Sequence, residues 1–184
     1  MGNRIIHRAV SEWFEDRAAA EAKYGHISTW DTSRVTDMSY LFSSSGVYWE
    51  DNDGDRRRLC TGWCGIDFGS QDFNEDISGW DTSSVTDMSW MFAGWDISAG
   101  PGKGSKFNQP IGRWNVDKVK KMSNMFNLAT SFNQPLDGWN MKKEMDLSGM
   151  FMDASSFNQP LQNWRVEKVR DIGAMFDGAY PTPR

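Results

Sequence analysis

The sequence has only two histidines and two cysteines, and no apolar run approaches the ~20 residues that a membrane-spanning helix needs. With His7 and His26 alone, histidine-based metal sites and histidine-dependent acid–base catalysis are poor hypotheses. The first 26 residues mix charged and apolar residues and lack the apolar block of a signal peptide, so any export signal lies outside this sequence or was removed. The lack of a long apolar run argues against membrane insertion, and the small number of histidines argues against an enzyme.

The charge is unevenly distributed along the 184 residues, a length that suits one sizeable domain. Residues 1–105 hold 17 acidic and 9 basic side chains, whereas residues 106–184 hold 8 acidic and 11 basic ones, which gives the net charge of -5. Even the basic part is only mildly basic, and strong nucleic-acid binding usually needs a more basic surface. We therefore predict no nucleic-acid partner.

Large apolar side chains are abundant instead, with 10 Trp, 11 Phe and 11 Met. Five of the tryptophans mark copies of one repeat, at intervals of 50, 34, 25 and 25 residues: Trp30, Trp80, Trp114, Trp139 and Trp164. Leu41-Phe42 follows the first Trp and a Met-Phe pair follows each of the others in register, while an opening Phe precedes four of them: Phe73, Phe107, Phe132 and Phe157. A 25-residue period is typical of a solenoid, whose stacked coils align equivalent residues as a core.

The pattern within one repeat predicts a short strand and a short helix. Apolar and polar residues alternate over residues 79–85, as in an extended segment. Asp87 can cap a helical turn that places Met88, Met91 and Phe92 on one face. We therefore expect an α/β solenoid of about five coils, with the strands in a narrow parallel sheet.

An asparagine follows the opening Phe in four repeats: Asn74, Asn108, Asn133 and Asn158. An Asn side chain can satisfy backbone groups that a corner of the coil leaves unpaired, so we predict an internal Asn ladder. A row of amides that binds a ligand is the alternative.

The two ends of the array differ. We predict an N-terminal capping helix over residues 1–25 that Gly25 ends, with its apolar face listed as Ile6, Ala9, Val10, Trp13, Phe14 and Ala18. A helix that binds a partner or a membrane surface is the alternative. The repeats then fill residues 26–180, with insertions at 43–72 and 93–106, and a tail at 181–184 follows. The last coil is weakly capped, so either the array continues or something covers that end.

The first insertion, which we interpret as a protruding loop rather than a lost repeat, contains alternating acidic residues. Asp51, Asp53 and Asp55 resemble the carboxylates of a calcium loop, although the match is partial because Gly54 lies between the acids and three arginines follow. A plain Asp/Gly turn near those arginines is the alternative. Calcium is the only cofactor that the sequence suggests.

Cys60 and Cys64 lie in the same insertion and are the only cysteines. In an oxidising compartment a disulfide between them would pin the loop, and free thiols are the alternative. Two thiols make a poor zinc site, and their spacing is not the CxxC of redox enzymes. The second insertion contains a Gly-rich stretch around Lys103, but its residue order does not fit a phosphate-binding loop.

The fourth position after each repeat Trp is mostly basic: Arg34, Ser84, Lys118, Lys143 and Lys168. Lysines on an exposed sheet edge prevent aggregation, which is one explanation of the row. The other is a site for an anionic partner, such as an acidic protein surface, a sulfated glycan or a lipid head group. Under the second explanation, Arg34, Lys118, Lys143 and Lys168 are the candidate contact residues for a partner.

The pattern FN..I..W(D/N)....V..M..MF, which covers roughly residues 24–179, resembles the BspA-type, leucine-rich-repeat-like family of surface proteins. That family is found in mycoplasmas, other bacteria and marine microalgae. The resemblance implies a right-handed solenoid, an adhesion or interaction role, a cell-surface or extracellular location and no catalytic residues. This sequence departs from the pattern at Glu144, Leu147 and Ile172 and at both insertions.

We therefore predict a non-catalytic repeat scaffold that mediates protein–protein interaction, as an adhesin-like surface domain or as a structural subunit of a larger assembly. Its contact residues would include the basic row. The alternative is a glycan-binding domain with a calcium-organised loop, in which exposed tryptophans stack on sugars: Trp49, Trp63 and Trp95.

Overall fold

The structure is a computed structural model that describes residues 1–43, 47–50, 56–59, 70–94, 104–141, 145–166 and 169–179, with only the backbone described at 47–50, 56–59 and 70. Helices α1 (Asn3–Glu15) and α2 (Arg17–Tyr24) come first. Short 3-10 turns occupy Ile27–Thr29 and Ser70–Asp72. Among the described residues, no helix has the length and apolar character to cross a membrane.

The first insertion contains an antiparallel hairpin of β1 (Val47–Glu50) and β2 (Arg56–Leu59). Trp49 lies opposite Arg57 in this ladder. The hairpin was not predicted from the sequence, although two short runs separated by five residues that contain Gly are a recognised hairpin signal.

The N-terminal segment forms two helices rather than the single predicted one. The break lies at Asp16, whose backbone is extended and so ends α1. The Asp16 side chain caps α2 by accepting a hydrogen bond of 3.0 Å from the Ala19 N–H. Gly25 ends α2 with φ of 77°. Because Ala18 belongs to α2, it is exposed and does not lie on the buried face of α1.

The prediction of an α/β solenoid with parallel strands and short helices is wrong. The described residues of the repeats form neither an α-helix nor a parallel strand. The repeats consist of turns, and consecutive repeats meet at isolated parallel bridges between equivalent residues: Asp37, Asp87, Lys121, Asp146 and Asp171.

The predicted helix after Asp87 does not form because its N–H groups are used between repeats. Those of Met88, Trp90 and Phe92 donate to carbonyls of the next repeat at 2.9–3.0 Å. Trp90 has φ of 60°, in the left-handed region that interrupts a right-handed helix. Asp87 accepts the Ser89 N–H at 2.9 Å and so forms a tight local turn instead of a helix cap.

The predicted strand over residues 79–85 is replaced by a turn for a similar reason. The Asp81 carboxylate accepts the Ser83 N–H at 2.9 Å, and the Val85 N–H donates to the Thr82 carbonyl at 3.0 Å. Asp and Ser favour such local bonds over the ladder of a sheet. The Thr82 hydroxyl donates instead to a carbonyl of the next repeat.

The core consists of columns of equivalent side chains. All five repeat tryptophans are buried, and the indole N–H of each later one donates to a carbonyl of the preceding repeat, as from Trp80 to Ile27 at 2.9 Å and from Trp164 to Leu136 at 2.9 Å. A buried Trp needs such an acceptor for its one donor. The Trp column therefore fixes the position of each repeat on its neighbour.

Phenylalanine rings form the second column. The last Phe of each of the first four repeats stacks face to face on the opening Phe of the next, with ring centroids 3.8–4.1 Å apart: Phe42–Phe73, Phe92–Phe107, Phe126–Phe132 and Phe151–Phe157. Each such junction thus contains an aromatic ring supplied by the following repeat.

The predicted Asn ladder is confirmed. The side-chain oxygens of Asn74, Asn108 and Asn133 each accept the backbone N–H of the Asn one repeat later, at 2.9 Å. The glutamine after each donor Asn also donates its amide to the backbone and side-chain oxygens of the same acceptor. The amide row therefore satisfies the backbone at the corner of the repeats.

Candidate interaction surfaces

The basic row that the sequence analysis proposed is described only in part. Arg34 and Lys118 are exposed, whereas Lys143 and Lys168 lie outside the described residues. Hydrogen bonds from Ser83 hold the pKa of the Asp81 carboxyl below its ordinary value, and nearby Lys118 lowers it slightly further.

The other predicted site residues are not tested by the structure. The proposed calcium ligands Asp51, Asp53 and Asp55, the proposed disulfide Cys60–Cys64, and the sugar-stacking Trp63 and Trp95 all lie outside the described residues. Of Trp49 only the backbone is described, in β1. The described part of the chain contains no group of three or more His, Cys, Asp or Glu side chains that could hold a metal ion.

The N-terminal end of the repeat stack is closed by α1. The Asn3 side-chain oxygen accepts the N–H groups of Thr36 and Asp37 at 2.8 and 3.2 Å. In the second repeat, the equivalent N–H groups of Thr86 and Asp87 donate to the Thr36 backbone carbonyl. Asn3 therefore supplies the carbonyl oxygen that a preceding repeat would supply.

Aromatic side chains of α1 complete this closed end. Trp13 packs edge-on against Trp30 and His26, with centroids 5.9 and 5.4 Å away. Phe14 packs edge-on against Phe42 at 6.4 Å. The first Trp and the first Phe of the columns are consequently covered.

A small open cleft of about 210 Å³ lies beside this contact, lined by Trp13, Phe14, Arg17, Asp72, Phe73, Asn74 and Glu75. Arg17 donates to Glu21 at 2.8 Å and to Glu75 at 2.7 Å, and it lies over the Trp13 ring. The Glu21 hydrogen bond is the largest cause of the raised pKa of Arg17. Arg17 is thus paired with two carboxylates, and its bond to Glu75 links α2 to the start of the second repeat.

The opposite end of the stack is open. Val166, Ile172 and Phe176 in the last repeat are 45%, 54% and 47% exposed. Their equivalents in the first four repeats are buried, and those of Ile172 and Phe176 are at most 1% exposed. Phe176 stacks on Phe151 with centroids 5.6 Å apart, which leaves its other face uncovered.

The open end also carries unused backbone donors. In the fourth repeat, four alternate N–H groups donate to carbonyls of the fifth repeat at 2.8–2.9 Å: those of Leu147, Gly149, Phe151 and Asp153. Their equivalents in the last repeat have no acceptor among the described residues: Ile172, Ala174, Phe176 and Gly178. We call these four N–H groups, together with the three exposed apolar side chains, the open edge.

The weakly capped last coil was predicted from the sequence, but Ile172 and Phe176 were not singled out, because they occupy positions that are core in every other repeat. The available signal was positional. A core residue in the last repeat has no following repeat to cover it. The open edge is thus a second candidate site beside the predicted basic row, of which Lys143 and Lys168 lie outside the described residues.

Comparison with protein families supports the repeat assignment. A family model described as "Mycoplasma protein of unknown function, DUF285" matches residues 8–54 and 67–182. Neither the curated proteins nor the solved structures contain a match to this chain. The matched ranges include parts of α1 and all five repeat tryptophans.

Proposed function

The chain belongs to the DUF285 family of Mycoplasma proteins of unknown function, and we propose that it is a non-catalytic repeat scaffold that binds a protein partner. It would act as an adhesin-like surface domain or as a structural subunit of a larger assembly. The exposure of Val166, Ile172 and Phe176, at positions that are buried in every other repeat, is the observation that carries this proposal.

The composition of the open edge supports a protein as the partner. Clustered apolar side chains with a charged rim are typical of protein–protein interfaces. Here the exposed Arg165, Arg170, Asp171 and Asp177 lie within six residues of Val166, Ile172 or Phe176 in the sequence. The rim carries both signs of charge, so the apolar residues and the backbone donors would provide most of the affinity.

The use of carboxylates in the repeats supports a scaffold rather than an enzyme. Asp37, Asp87, Asp146 and Asp171 each accept the backbone N–H two residues later, at 2.8–3.0 Å. These acids thus shape turns that recur from repeat to repeat. The resemblance to BspA-type surface proteins favours the adhesin-like form and a cell-surface location.

The proposal can be tested with variants at the two ends of the stack. We would immobilise the wild-type chain, identify proteins captured from an extract of cells that express it, and measure the Kd of each purified candidate. The double variant Ile172→Ser/Phe176→Ser should weaken binding of a true partner at least tenfold, since central apolar residues dominate interfaces. Ile5→Ser is the matched control, because Ile5 is 42% exposed on α1.

The expected result is loss of binding in the double variant and unchanged binding in the control. A purified partner that binds both variants as tightly as the wild type would overturn the open edge as the contact surface. Circular dichroism on all three proteins verifies that each remains folded.

A further inference from the structure

We propose that the open edge recognises a polypeptide segment that begins with Phe-Asn-Gln, presented by a partner chain and bound as the chain's own repeats bind one another. This inference rests on the proposed function and adds the chemistry of the partner. Three separate features of the last repeat point to the same segment.

The first feature is a place for an aromatic ring. At each of the four junctions between repeats, the last Phe of one repeat is covered by the opening Phe of the next at 3.8–4.1 Å. Phe176 is the last Phe of the fifth repeat, and among the described residues no opening Phe covers it. Its exposed face therefore fits the ring of an incoming phenylalanine.

The second feature is Asn158, the last member of the Asn ladder. Asn133 shows what such an Asn binds: it accepts the N–H of Asn158 at 2.9 Å and the side-chain amide of Gln159 at 3.0 Å. Asn158 is exposed, and its side-chain oxygen has no donor among the described residues. A segment with Asn and Gln directly after its Phe would place both donors on Asn158.

The third feature is the row of backbone donors on Ile172, Ala174, Phe176 and Gly178. At each described junction, donors on alternate residues of one repeat are met by carbonyls on alternate residues of the next, so an incoming segment would need the turn-rich backbone of a repeat. At the junction between the fourth and fifth repeats, the same donors are satisfied by residues 14–20 positions after the opening Phe. The segment therefore needs the length of about one repeat.

A second folded copy of this chain does not fit the open edge. The first repeat has Tyr24 six residues before its Trp30, where the later repeats have Asn. Its outer face is also covered by α1. Its own opening phenylalanines are buried. Two open edges would bring donor rows together without acceptors. A folded copy of this chain is therefore excluded as the occupant, and a partner polypeptide that presents an uncovered repeat fits the open edge.

The probe is a synthetic 25-residue peptide with the sequence of residues 132–156, which opens with Phe-Asn-Gln-Pro. Calorimetry would give its Kd for the full chain, and NMR would follow the amide signals of Ile172, Ala174, Phe176 and Gly178. We expect saturable binding, slower hydrogen exchange at these four amides, and at least tenfold weaker binding of a peptide whose first Phe is replaced by Ser.

Matched variants of the full chain test the two side chains separately. Phe176→Ser should weaken peptide binding about tenfold or more, whereas Ile5→Ser should leave it unchanged. Asn158→Ala should weaken it several-fold, whereas Asn163→Ala, which changes an exposed Asn in the same repeat, should not. Because Phe176 and Asn158 are both partly or fully exposed, these variants should fold.

The inference is overturned if the wild-type chain does not bind the peptide at millimolar concentration, or if a scrambled peptide binds as well. It is also overturned if Phe176→Ser leaves the Kd unchanged. A purified partner that needs Phe176 while the peptide fails would refute the Phe-Asn-Gln segment alone and leave the proposed function standing. A purified partner whose Kd is unchanged by both open-edge substitutions would overturn the open edge as the contact surface.

Discussion

The two ends of the repeat stack face the same physical problem, and only one of them is covered within the described residues. At the N-terminal end, α1 places Asn3 on the backbone of the first repeat and Trp13 and Phe14 on its aromatic rings. At the other end, Ile172 and Phe176 remain about half exposed. Repeats of nearly the same sequence therefore differ in exposure because of their neighbours, as expected where each unit contacts only the next.

The closed end shows what covering an end requires. The outward N–H groups of the first repeat need an acceptor, which is the side-chain oxygen of Asn3. The Trp and Phe columns need aromatic cover, which Trp13 and Phe14 provide. The open edge lacks both among the described residues. The comparison predicts that substitutions at the closed end affect folding, whereas the same kinds of substitution at the open edge affect binding.

Among the variants at the two ends of the stack, Trp13→Ala should cause the largest loss in the free energy of unfolding. Trp13 is only 4% exposed and contacts Trp30, so its truncation should lower the free energy of unfolding by about 3–5 kcal/mol. Phe176→Ala, at the half-exposed end of the other column, should cost about 1 kcal/mol or less. Urea unfolding of both variants measures the difference. Equal losses would mean that the open edge is covered as well as the closed end.

Asn3→Ala should have the next largest effect. It removes the acceptor for two backbone N–H groups and the donor to the Thr36 hydroxyl, so we expect a loss of about 1–2 kcal/mol. Asn3→Asp keeps the acceptor oxygen and adds a favourable charge in the first turn of α1, so it should retain most of the stability. Thermal unfolding distinguishes them. If Asn3→Asp were as unstable as Asn3→Ala, the accepted hydrogen bonds would not be what holds α1.

Gly149 and Ala174 occupy equivalent positions in the fourth and fifth repeats, with φ of 60° and 53°. Gly149→Ala should cost about 1 kcal/mol or more, because its Cβ would lie 2.4 Å from the Asn124 side-chain oxygen and left-handed backbone disfavours Ala. Ala174→Gly should instead raise stability by about 0.5–1 kcal/mol through relief of the same strain. Urea midpoints for both variants provide the measurement. Destabilisation by Ala174→Gly would contradict this strain argument.

The sequence was sufficient to predict the columns but not the secondary structure. The fixed spacing of Trp, Phe and Met identified the buried positions, and the repeated Asn identified the ladder of amides. The helix predicted after Asp87 failed because an i, i+3, i+4 pattern does not reveal whether N–H groups bond within a segment or across repeats. The left-handed conformation of Trp90 could not be predicted from the sequence either, because aromatic residues rarely adopt it.

The candidate site was harder to predict than the core. The basic row was visible because its residues vary between repeats, whereas Phe176 looks like every other core Phe. A weakly capped last repeat was expected, but only the structure shows that Val166, Ile172 and Phe176 are the side chains left exposed there. Asn3 was similarly inconspicuous, because its role depends on the backbone of residues more than thirty positions away.

The smallest predicted effect concerns acid. Lys23 of α2 donates to both carboxylate oxygens of Glu12 on α1 at 2.7–2.9 Å, and this pairing is the main cause of the lowered pKa of Glu12. A carboxyl pKa that is lowered by folding stabilises the fold above its ordinary value, here 4.5, and the stabilisation is lost as the pH falls through the lowered value. Acid should therefore loosen the closed end specifically.

The test compares the melting temperatures of the wild type and Glu12→Gln at pH 7 and pH 3. The wild type should be slightly more stable at pH 7, the gap should shrink at pH 3, and salt should reduce it at pH 7 because the pair is exposed. Asp177→Asn, on the exposed rim of the open edge, is the control and should show no such gap. A gap between wild type and Glu12→Gln that persists at pH 3 would show that Glu12 stabilises the helices by packing rather than by charge.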